Sequence, residues 1–220
     1  MARALVVGAS GGIGRSLVRE LIKRGEHVTE LSRSVDGIDI TDEMSIHETL
    51  ERVKGPFDLI IIATGALEIG AHGPEKSIMA LDPRAIAAQF AINATGPALV
   101  LKHALRHIPR DRRSVFAALS ARVGSIGDNR LGGWYSYRAA KAALNQLIHT
   151  AAIEVARSHK QAICVTLHPG TVATAFTEKY QTHAAVPADE AARNLLSVIE
   201  RLKPSDTGRF FDWTGDEVAW

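Results

Sequence analysis

The chain has 220 residues, a length that suits one large domain better than two, since domains average roughly 150 residues. Hydrophobic residues make up 46% and charged residues 23%, which excludes a disordered or low-complexity chain. The 26 basic and 24 acidic side chains leave a net charge of +2, so overall charge favours neither nucleic acid nor an anionic membrane as a partner. A single cysteine, Cys164, excludes an internal disulfide and fits a small core residue.

No targeting or membrane segment is predicted. The first apolar run is too short for a signal peptide and is followed by glycines. The longest uncharged stretches, 85–101 and 161–177, contain polar residues and are too polar to cross a bilayer. We therefore expect a soluble cytoplasmic protein.

Short β-rich runs alternate with longer helical patterns along the chain. Strands are predicted at Arg3–Val7, His27–Leu31, 58–63, Ser114–Leu119 and 162–167, and helices at 14–24, 83–106, 135–159 and 188–202. The run at 58–63 is almost wholly apolar, which is typical of a strand buried on both faces of a parallel sheet. This order predicts an α/β fold: a single domain, 1–220, with a doubly wound, Rossmann-like parallel sheet and helices on both faces.

A glycine-rich turn joins the first strand to the first helix. Glycines allow positive φ and close approach of the backbone, and the exposed amides of a helix N-terminus attract a pyrophosphate. The same residues fit Gly-x-Ser-x-Gly, the nucleophile elbow of a hydrolase, although that elbow normally follows several strands rather than the first. A tight turn without any ligand is the third interpretation. The candidate cofactor contacts here are Gly8, Ser10, Gly12, Ile13 and Gly14.

The spacing Gly-x-x-x-Gly-x-Gly resembles the short-chain dehydrogenase/reductase superfamily rather than the plain Gly-x-Gly-x-x-Gly fingerprint. The Thr that usually precedes the first glycine is Val7 here. The resemblance implies a nicotinamide dinucleotide as cofactor.

Tyr137 and Lys141 lie four residues apart on a predicted helix, so the phenol and the ammonium share one face. A nearby cation lowers the pKa of a Tyr towards the range of a general acid or base. Tyr-x-x-x-Lys is common by chance, but Leu119-Ser120 ends a strand 17 residues before Tyr137. A later strand runs into Pro169-Gly170.

Together these motifs resemble the short-chain reductases, in which an Asn, Ser, Tyr and Lys form a catalytic tetrad. The resemblance assigns these roles to Asn93, Ser120, Tyr137 and Lys141, and adds Ala63, Thr64, Gly65, Pro169, Gly170, Val172 and Thr174 as cofactor contacts. The segment 137–144 and the tail 208–213 are similar to the C-factor/sniffer-like carbonyl reductases. Where the family has Asn-Asn-Ala-Gly, this chain has Ile-Ala-Thr-Gly at 62–65, which leaves the usual asparagine network in question.

The end of the second strand indicates which cofactor is preferred. An acid there binds the adenosine ribose and repels a 2′-phosphate, whereas this chain has Ser32 followed by Arg33. Arg suits a phosphate, so NADP(H) is expected in preference to NAD(H), which remains possible. Glu30 lies within the strand and is not expected to reach the ribose, and the second basic residue of many NADP-using relatives is Gly11 here. The resemblance adds Asp39 and Ile40 as adenine contacts.

Several other patterns in the sequence carry weaker functional signals. His103 and His107 could face one metal but stand beside arginines, so no metal site is expected. The basic cluster Arg106, Arg110, Arg112 and Arg113 lacks aromatic residues to stack on bases, so no nucleic-acid partner is expected. His168 suits strand-end packing at least as well as catalysis. The segment 175–186, with Phe176, Tyr180 and His183, is expected to form a lid.

The sequence therefore predicts an NADP(H)-dependent short-chain oxidoreductase that transfers hydride between the nicotinamide and a small-molecule carbonyl or alcohol. The alternative is a dinucleotide-binding signalling or regulatory protein with little turnover. The helix after Tyr137 is apolar on more than one face, which predicts a homo-oligomer, either a dimer or a tetramer.

Overall fold

The computed structural model describes residues 2–70, 72–174, 176–180 and 185–220. The main strands are β1 (Arg3–Val7), β2 (His27–Leu31), β3 (Leu59–Ile62), β4 (Ser114–Leu119) and β5 (Ala162–His168). After a separate short pair, β6 (Val172–Ala173) with β7 (Val186–Pro187), the chain ends in β8 (Phe210–Asp212). Strands β1 to β5 and β8 form one six-stranded parallel sheet in the order β2-β1-β3-β4-β5-β8.

The helices alternate with these strands. They are α1 (Gly12–Lys23), α2 (Arg33–Asp36), α3 (Glu43–Arg52), α4 (Pro83–Phe90), α5 (Gly96–Ala104), α6 (Tyr135–Ser158) and α7 (Ala188–Arg201). None of them, within the part of the chain described, is both long and apolar enough to cross a membrane.

Consecutive residues of each strand point into two separate cores. In β3, Ile60 and Ile62 belong to the core shared with α3, α5 and α6, whereas Ile61 belongs to the core shared with α1 and α7. This alternation follows from the period of two in a strand, and it explains why β3 needs apolar residues at every position. The predicted doubly wound parallel sheet with helices on both faces is confirmed.

The chain order reverses direction beside β1, because β1 pairs with β2 on one side and with β3 on the other. At such a switch point the loops at the carboxyl ends of the strands separate and leave a crevice, where ligands bind in open α/β sheets. The turns that follow β1, β3, β4 and β5 all open at this edge.

The helix predicted at 83–106 is not continuous. A π-helical turn, Ala91–Thr95, separates α4 from α5, and it contains the fully buried Asn93. Such turns insert an extra residue into a helix and often occur at functional sites. The prediction also missed α3 and β8, which have weaker local patterns.

The basic cluster at 106–113 makes intramolecular contacts. Arg106 pairs with Glu51, and Arg112 Nε donates to Asp58 Oδ1 at 2.8 Å. Arg113 donates to the carbonyl oxygens of Ile199 and Leu202 at the end of α7, where a cation complements the helix dipole. These arginines therefore tie helices to the sheet.

Candidate active site

The carboxyl ends of the central strands surround a cavity of about 870 Å³. Its wall includes twelve of the predicted site residues: Gly12, Ile13, Ala63, Thr64, Gly65, Ser120, Tyr137, Lys141, Pro169, Gly170, Val172 and Thr174. The parallel register explains this convergence, since β1, β3, β4 and β5 end side by side. Residues far apart in the sequence are thereby brought to one crevice.

The glycine turn is built so closely that side chains would not fit. Gly8 has a φ of +90°, and a Cβ atom added to Gly14 would lie 2.1 Å from the Gly8 carbonyl oxygen. A Cβ at Gly12 would lie 2.6 Å from Thr174 Cγ2. The backbone of α1 therefore begins directly at the cavity wall, and the amides of its first turn have no partner within the helix. The buried hydroxyl of Thr64 has no hydrogen-bond partner among the described residues. This hydroxyl and the cradle together fit the phosphates and sugar of a dinucleotide.

Ser10 does not have the surroundings of a nucleophile. Its side chain is exposed, and its carbonyl oxygen accepts a hydrogen bond from Arg15. A serine nucleophile needs a base within hydrogen-bonding reach, and no His or carboxylate bonds the Ser10 hydroxyl within the described residues. The geometry does not support the hydrolase interpretation.

Lys141 is buried beside Tyr137 at the end of β4. Lys141 is 3% exposed, and its Nζ donates to the carbonyl oxygen of Leu119 at 2.9 Å. The same Nζ lies 5.9 Å from the centre of the Tyr137 ring. Burial lowers the pKa of Lys141 to about 7 and raises the pKa of Tyr137 above its ordinary value. In this state desolvation therefore outweighs the effect of the cation on Tyr137, whose pKa we expected to be lowered.

Ser120 follows β4 directly and lines the cavity, but it also makes a hydrogen bond on the side away from the cavity. Its hydroxyl donates to Oδ1 of Asn145 at 2.7 Å. Asn145 lies one turn beyond Lys141 on α6 and is 1% exposed. No sequence motif pointed to this residue, because its significance depends on a contact across 25 positions.

Asn93 is braced on both sides of its amide. Its Oδ1 accepts from the Ala66 amide at 3.1 Å, and its Nδ2 donates to the Ala66 carbonyl oxygen and to Gln89 Oε1. Gln89 in turn donates to the Leu67 carbonyl oxygen. The loop after β3 is therefore held by side-chain amides although the family's usual asparagines are absent from it. Because both hydrogens of Nδ2 are used, the Asn93 side chain could hold a water only through Oδ1.

The end of β2 carries charges of both signs. Ser32 follows β2 and is buried, and both its amide and its hydroxyl donate to Asp36 Oδ2, at 2.8 and 3.4 Å. Arg33 is exposed. Hydrogen bonds from Thr41 hold the pKa of Asp39 below its ordinary value, and the charge of Arg33 acts in the same direction. Ser32 is thus occupied by Asp36 rather than free, which the sequence did not suggest.

The outer part of the cavity has an aromatic wall. Trp134 meets Tyr137 and Tyr180 edge to face, with ring centres 6.2 and 5.7 Å apart, and Phe176 lies 6.2 Å from Tyr137. The Tyr180 hydroxyl donates to Glu68 Oε1 at 2.5 Å, which joins the segment 176–180 to the loop after β3. The expected lid thus contributes Phe176 and Tyr180, while His183 lies outside the described residues.

His103 and His107 have partners other than a metal ion. His103 Nε2 lies 3.0 Å from Glu43 Oε1, and His107 Nε2 lies 3.0 Å from the Leu50 carbonyl oxygen. No cluster of metal-ligating side chains occurs among residues 2–70, 72–174, 176–180 and 185–220. His168 lines the cavity, and burial lowers its pKa to about 4.

The remaining predicted contacts lie outside the cavity wall: Gly8, Ser10, Gly14, Ser32, Arg33, Asp39, Ile40 and Asn93. Gly8 and Gly14 shape the turn from behind, and Ile40 is buried. The sequence reasoning missed Trp134, Arg122 and Arg138 in the wall, because no local pattern marks them.

The fold and the crevice at its switch point are those of an α/β protein suited to bind a dinucleotide, and comparison with known proteins identifies the family. A family model described as short chain dehydrogenase matches residues 2–185. The chain therefore belongs to the short-chain dehydrogenase/reductase family.

Two curated relatives and two solved structures illustrate the likeness. A 1-hydroxy-2-glutathionyl-2-methyl-3-butene dehydrogenase from Rhodococcus sp. (strain AD45) is 32% identical over the whole of both chains. The C-signal protein of Myxococcus xanthus is 34% identical over 76% of this chain and 94% of its own. The carbonyl reductase Sniffer of D. melanogaster superposes over 100% of both chains with a TM-score of 0.83 at 19% identity. An NADPH-bound carbonyl reductase from chicken fatty liver gives 0.83 at 24% identity, over 100% of this chain and 94% of its own. The resemblance to the C-factor proteins is confirmed in sequence, and the resemblance to the sniffer-like proteins is confirmed in fold.

The burial of Lys141 predicts a gain in stability when its charge is removed. The unfolded chain binds this proton up to the ordinary pKa of 10.5, whereas the folded chain releases it at about 7. Wild-type stability should therefore rise with pH between these values. Lys141→Met should increase the free energy of unfolding at neutral pH by about 1–4 kcal/mol, and the gain should vanish as pH approaches the upper value. Urea unfolding at several pH values between about 7 and 10.5 measures both the gain in unfolding free energy and its dependence on pH.

Lys160→Met is the matched control, because Lys160 is exposed and the variant loses the same charge. It should leave the unfolding free energy nearly unchanged. A Lys141→Met protein that is less stable than wild type at neutral pH, or whose gain does not depend on pH, would contradict the prediction.

Proposed function

We propose that the protein is an NADP(H)-dependent oxidoreductase that reduces a small-molecule carbonyl, or oxidises the corresponding alcohol, with Tyr137 as general acid and base. The observation that carries this proposal is that Ser120, Tyr137 and Lys141 line the same cavity as the glycine turn of α1. A group bound in that turn and a carbonyl beside Tyr137 would occupy one continuous space.

The cofactor would be held by the first turn of α1 at its pyrophosphate, where Gly12 and Ile13 line the cavity. Lys141 would bind the ribose hydroxyls, and Pro169, Gly170, Val172 and Thr174 would contact the nicotinamide end. When bound, the nicotinamide supplies the hydride for the carbonyl carbon.

The chain's own residues would manage the proton. The Tyr137 phenol is protonated at neutral pH and can donate to the carbonyl oxygen, but burial raises its pKa and makes it a weaker acid unless a cation stabilises the phenolate. Lys141, when protonated, stabilises the phenolate that results. Ser120 would donate a hydrogen bond to the same oxygen as negative charge develops there. Asn93 would contribute by holding the loop at Ala66 against this site.

The substrate side of the cavity favours a partly apolar molecule, because Trp134, Phe176 and Tyr180 form its wall. A substrate panel should therefore contain aromatic and aliphatic aldehydes, ketones and quinones. It should also contain a glutathionyl alcohol, since the name of the Rhodococcus relative describes such a substrate.

Tyr137→Phe tests the proposed acid. The variant removes only the hydroxyl group, so NADPH should bind with unchanged affinity while kcat falls by about 10²–10⁴-fold. NADPH fluorescence measures binding, and absorbance of the reduced nicotinamide measures turnover on the best substrate of the panel. Turnover at the wild-type rate would refute the role of Tyr137.

Tyr135→Phe is the matched control, because it removes a hydroxyl two residues earlier on the same helix without touching the proposed acid. It should retain kcat. If wild type binds NADPH but turns over nothing in the panel, the alternative of a regulatory dinucleotide-binding protein is supported instead.

We propose a preference for NADPH over NADH, supported by Arg33 beside the end of β2 and by NADPH in a fold-similar carbonyl reductase. Arg33→Ala should weaken NADPH binding about ten-fold and leave NADH binding nearly unchanged, because the lost charge-assisted hydrogen bonds reach only a 2′-phosphate. Titration of both reduced cofactors measures the ratio.

Lys23→Ala, which removes an exposed charge at the far end of α1, should not change that ratio. Tighter binding of NADH by the wild type would contradict the preference. The Asp36 carboxylate accepts a hydrogen bond from the Ser32 amide and would repel a 2′-phosphate placed there. The preference for NADPH over NADH should therefore be moderate rather than absolute.

We also propose that the protein forms a homo-oligomer through α6. Leu147 is 41% exposed and stands between Ala143 and Ala151 on one stripe of this helix. The C-terminal Trp220 covers another part of α6 through His149. Light scattering at micromolar concentration should give at least twice the monomer mass of 23.7 kDa.

Leu147→Asp should shift the protein towards the monomer, whereas Ile22→Asp should not, since Ile22 is a more exposed apolar residue (55%) on α1. A monomeric wild type would contradict this proposal. The expected cytoplasmic location stays a prediction.

A further inference from the structure

Asn145 is a buried amide with half of its hydrogen-bonding capacity unused. Its Oδ1 accepts the hydroxyl hydrogen of Ser120 at 2.7 Å. Its Nδ2 is buried and has no partner within the described residues. The whole residue is only 1% exposed, so bulk water does not reach the amide either. A buried amide group with two unused donors is unfavourable, because such groups bond to water in the unfolded chain.

The same arrangement leaves Ser120 without a hydrogen for a substrate. A serine hydroxyl has one hydrogen and two acceptor positions. If that hydrogen points to Asn145, Ser120 can only accept from the cavity side. A carbonyl oxygen that gains negative charge needs a donor there, so this orientation opposes the proposed reaction.

Rotation of the Asn145 amide by half a turn reduces the first problem and resolves the second. The two ends of the amide have nearly the same shape, so the rotation exchanges Oδ1 and Nδ2 without new packing. Nδ2 then donates one hydrogen to Ser120 Oγ, and Oδ1 takes the buried position that has no partner within the described residues. A buried carbonyl oxygen without a partner is less rare than a buried N–H group without one. The Ser120 hydrogen is released and can point into the cavity.

We propose that Asn145 is a positioning residue that donates from Nδ2 to Ser120 Oγ and thereby directs the Ser120 hydrogen to the substrate oxygen. The inference rests on the proposed carbonyl reduction and adds to it the residue that orients the oxyanion donor. An amide suits this position because it donates without carrying a charge into the core.

The substitution that tests this idea is Asn145→Asp, which keeps the shape but replaces the donor by an acceptor once the acid is ionised. The Ser120 hydrogen is then held by the carboxylate. The kcat should fall by about 10²–10³-fold, the loss expected when an oxyanion donor is removed, as in Ser120→Ala. The loss should grow as pH rises and the acid ionises, and the dissociation constant of NADPH should not change.

The double variant separates positioning from structural damage. If Asn145 acts through Ser120, Asn145→Asp should lower kcat in wild type but have no further effect in Ser120→Ala. If it acts by packing, the losses should multiply. Equal losses in both backgrounds, or wild-type kcat in Asn145→Asp, would overturn the inference.

Two further variants serve as a replacement and as a control. Asn145→Ala introduces no charge, and its smaller loss of kcat should likewise disappear in the Ser120→Ala background. This variant replaces Asn145→Asp if the acid prevents folding. Gln146→Glu makes the same amide-to-acid change on the exposed face of α6 and should retain wild-type kcat. A wild type without carbonyl reductase activity would instead refute the proposed function, whereas multiplying losses in an active enzyme refute only the role of Asn145.

Discussion

The hydrogen bond from Lys141 Nζ to the Leu119 carbonyl oxygen is the contact on which the site depends. It joins the second turn of α6 to the last residue of β4. It does so through an ammonium group whose charged form is disfavoured by burial. Because Tyr137 precedes Lys141 by one turn and Ser120 follows Leu119 directly, this contact brings the phenol and the serine hydroxyl to one wall. The same hydrogen bond therefore positions both hydroxyl groups.

Close backbone packing makes that contact possible. A Cβ atom on Gly124 would lie 2.8 Å from Lys141 Cβ, so only glycine lets the turn after β4 lie against α6. Trp134, which directly precedes α6, has a φ of 54°, an unusual conformation for a residue with a side chain. Its amide donates to the Glu75 carbonyl oxygen at 2.5 Å, while the Glu75 carboxylate accepts from the Ser136 amide. The start of α6 is therefore held by both the backbone and the side chain of Glu75.

The sequence predicted those parts of the molecule that local patterns determine. The glycine turn, the apolar strands and the Tyr137–Lys141 spacing each lie within a few residues, and all were found at or near their predicted positions. Asn93 was also anticipated, but its π-helical turn was not, because the turn depends on hydrogen bonds to Ala66 and Gln89. The three residues of β8 form a strand only through pairing with β5, and Asn145 gains meaning only beside Ser120. Such contacts between distant segments leave no periodic signal in the chain.

The central claim is that hydride and proton meet at one carbonyl beside Tyr137. Wild-type enzyme supplied with NADPH deuterated at nicotinamide C4 on one face, and separately on the other, tests this most directly, with the product analysed by mass spectrometry and NMR. The account predicts that deuterium from one face alone appears on the carbinol carbon of the alcohol product. Cofactor oxidation without deuterium in the product, or incorporation from both faces alike, would contradict it.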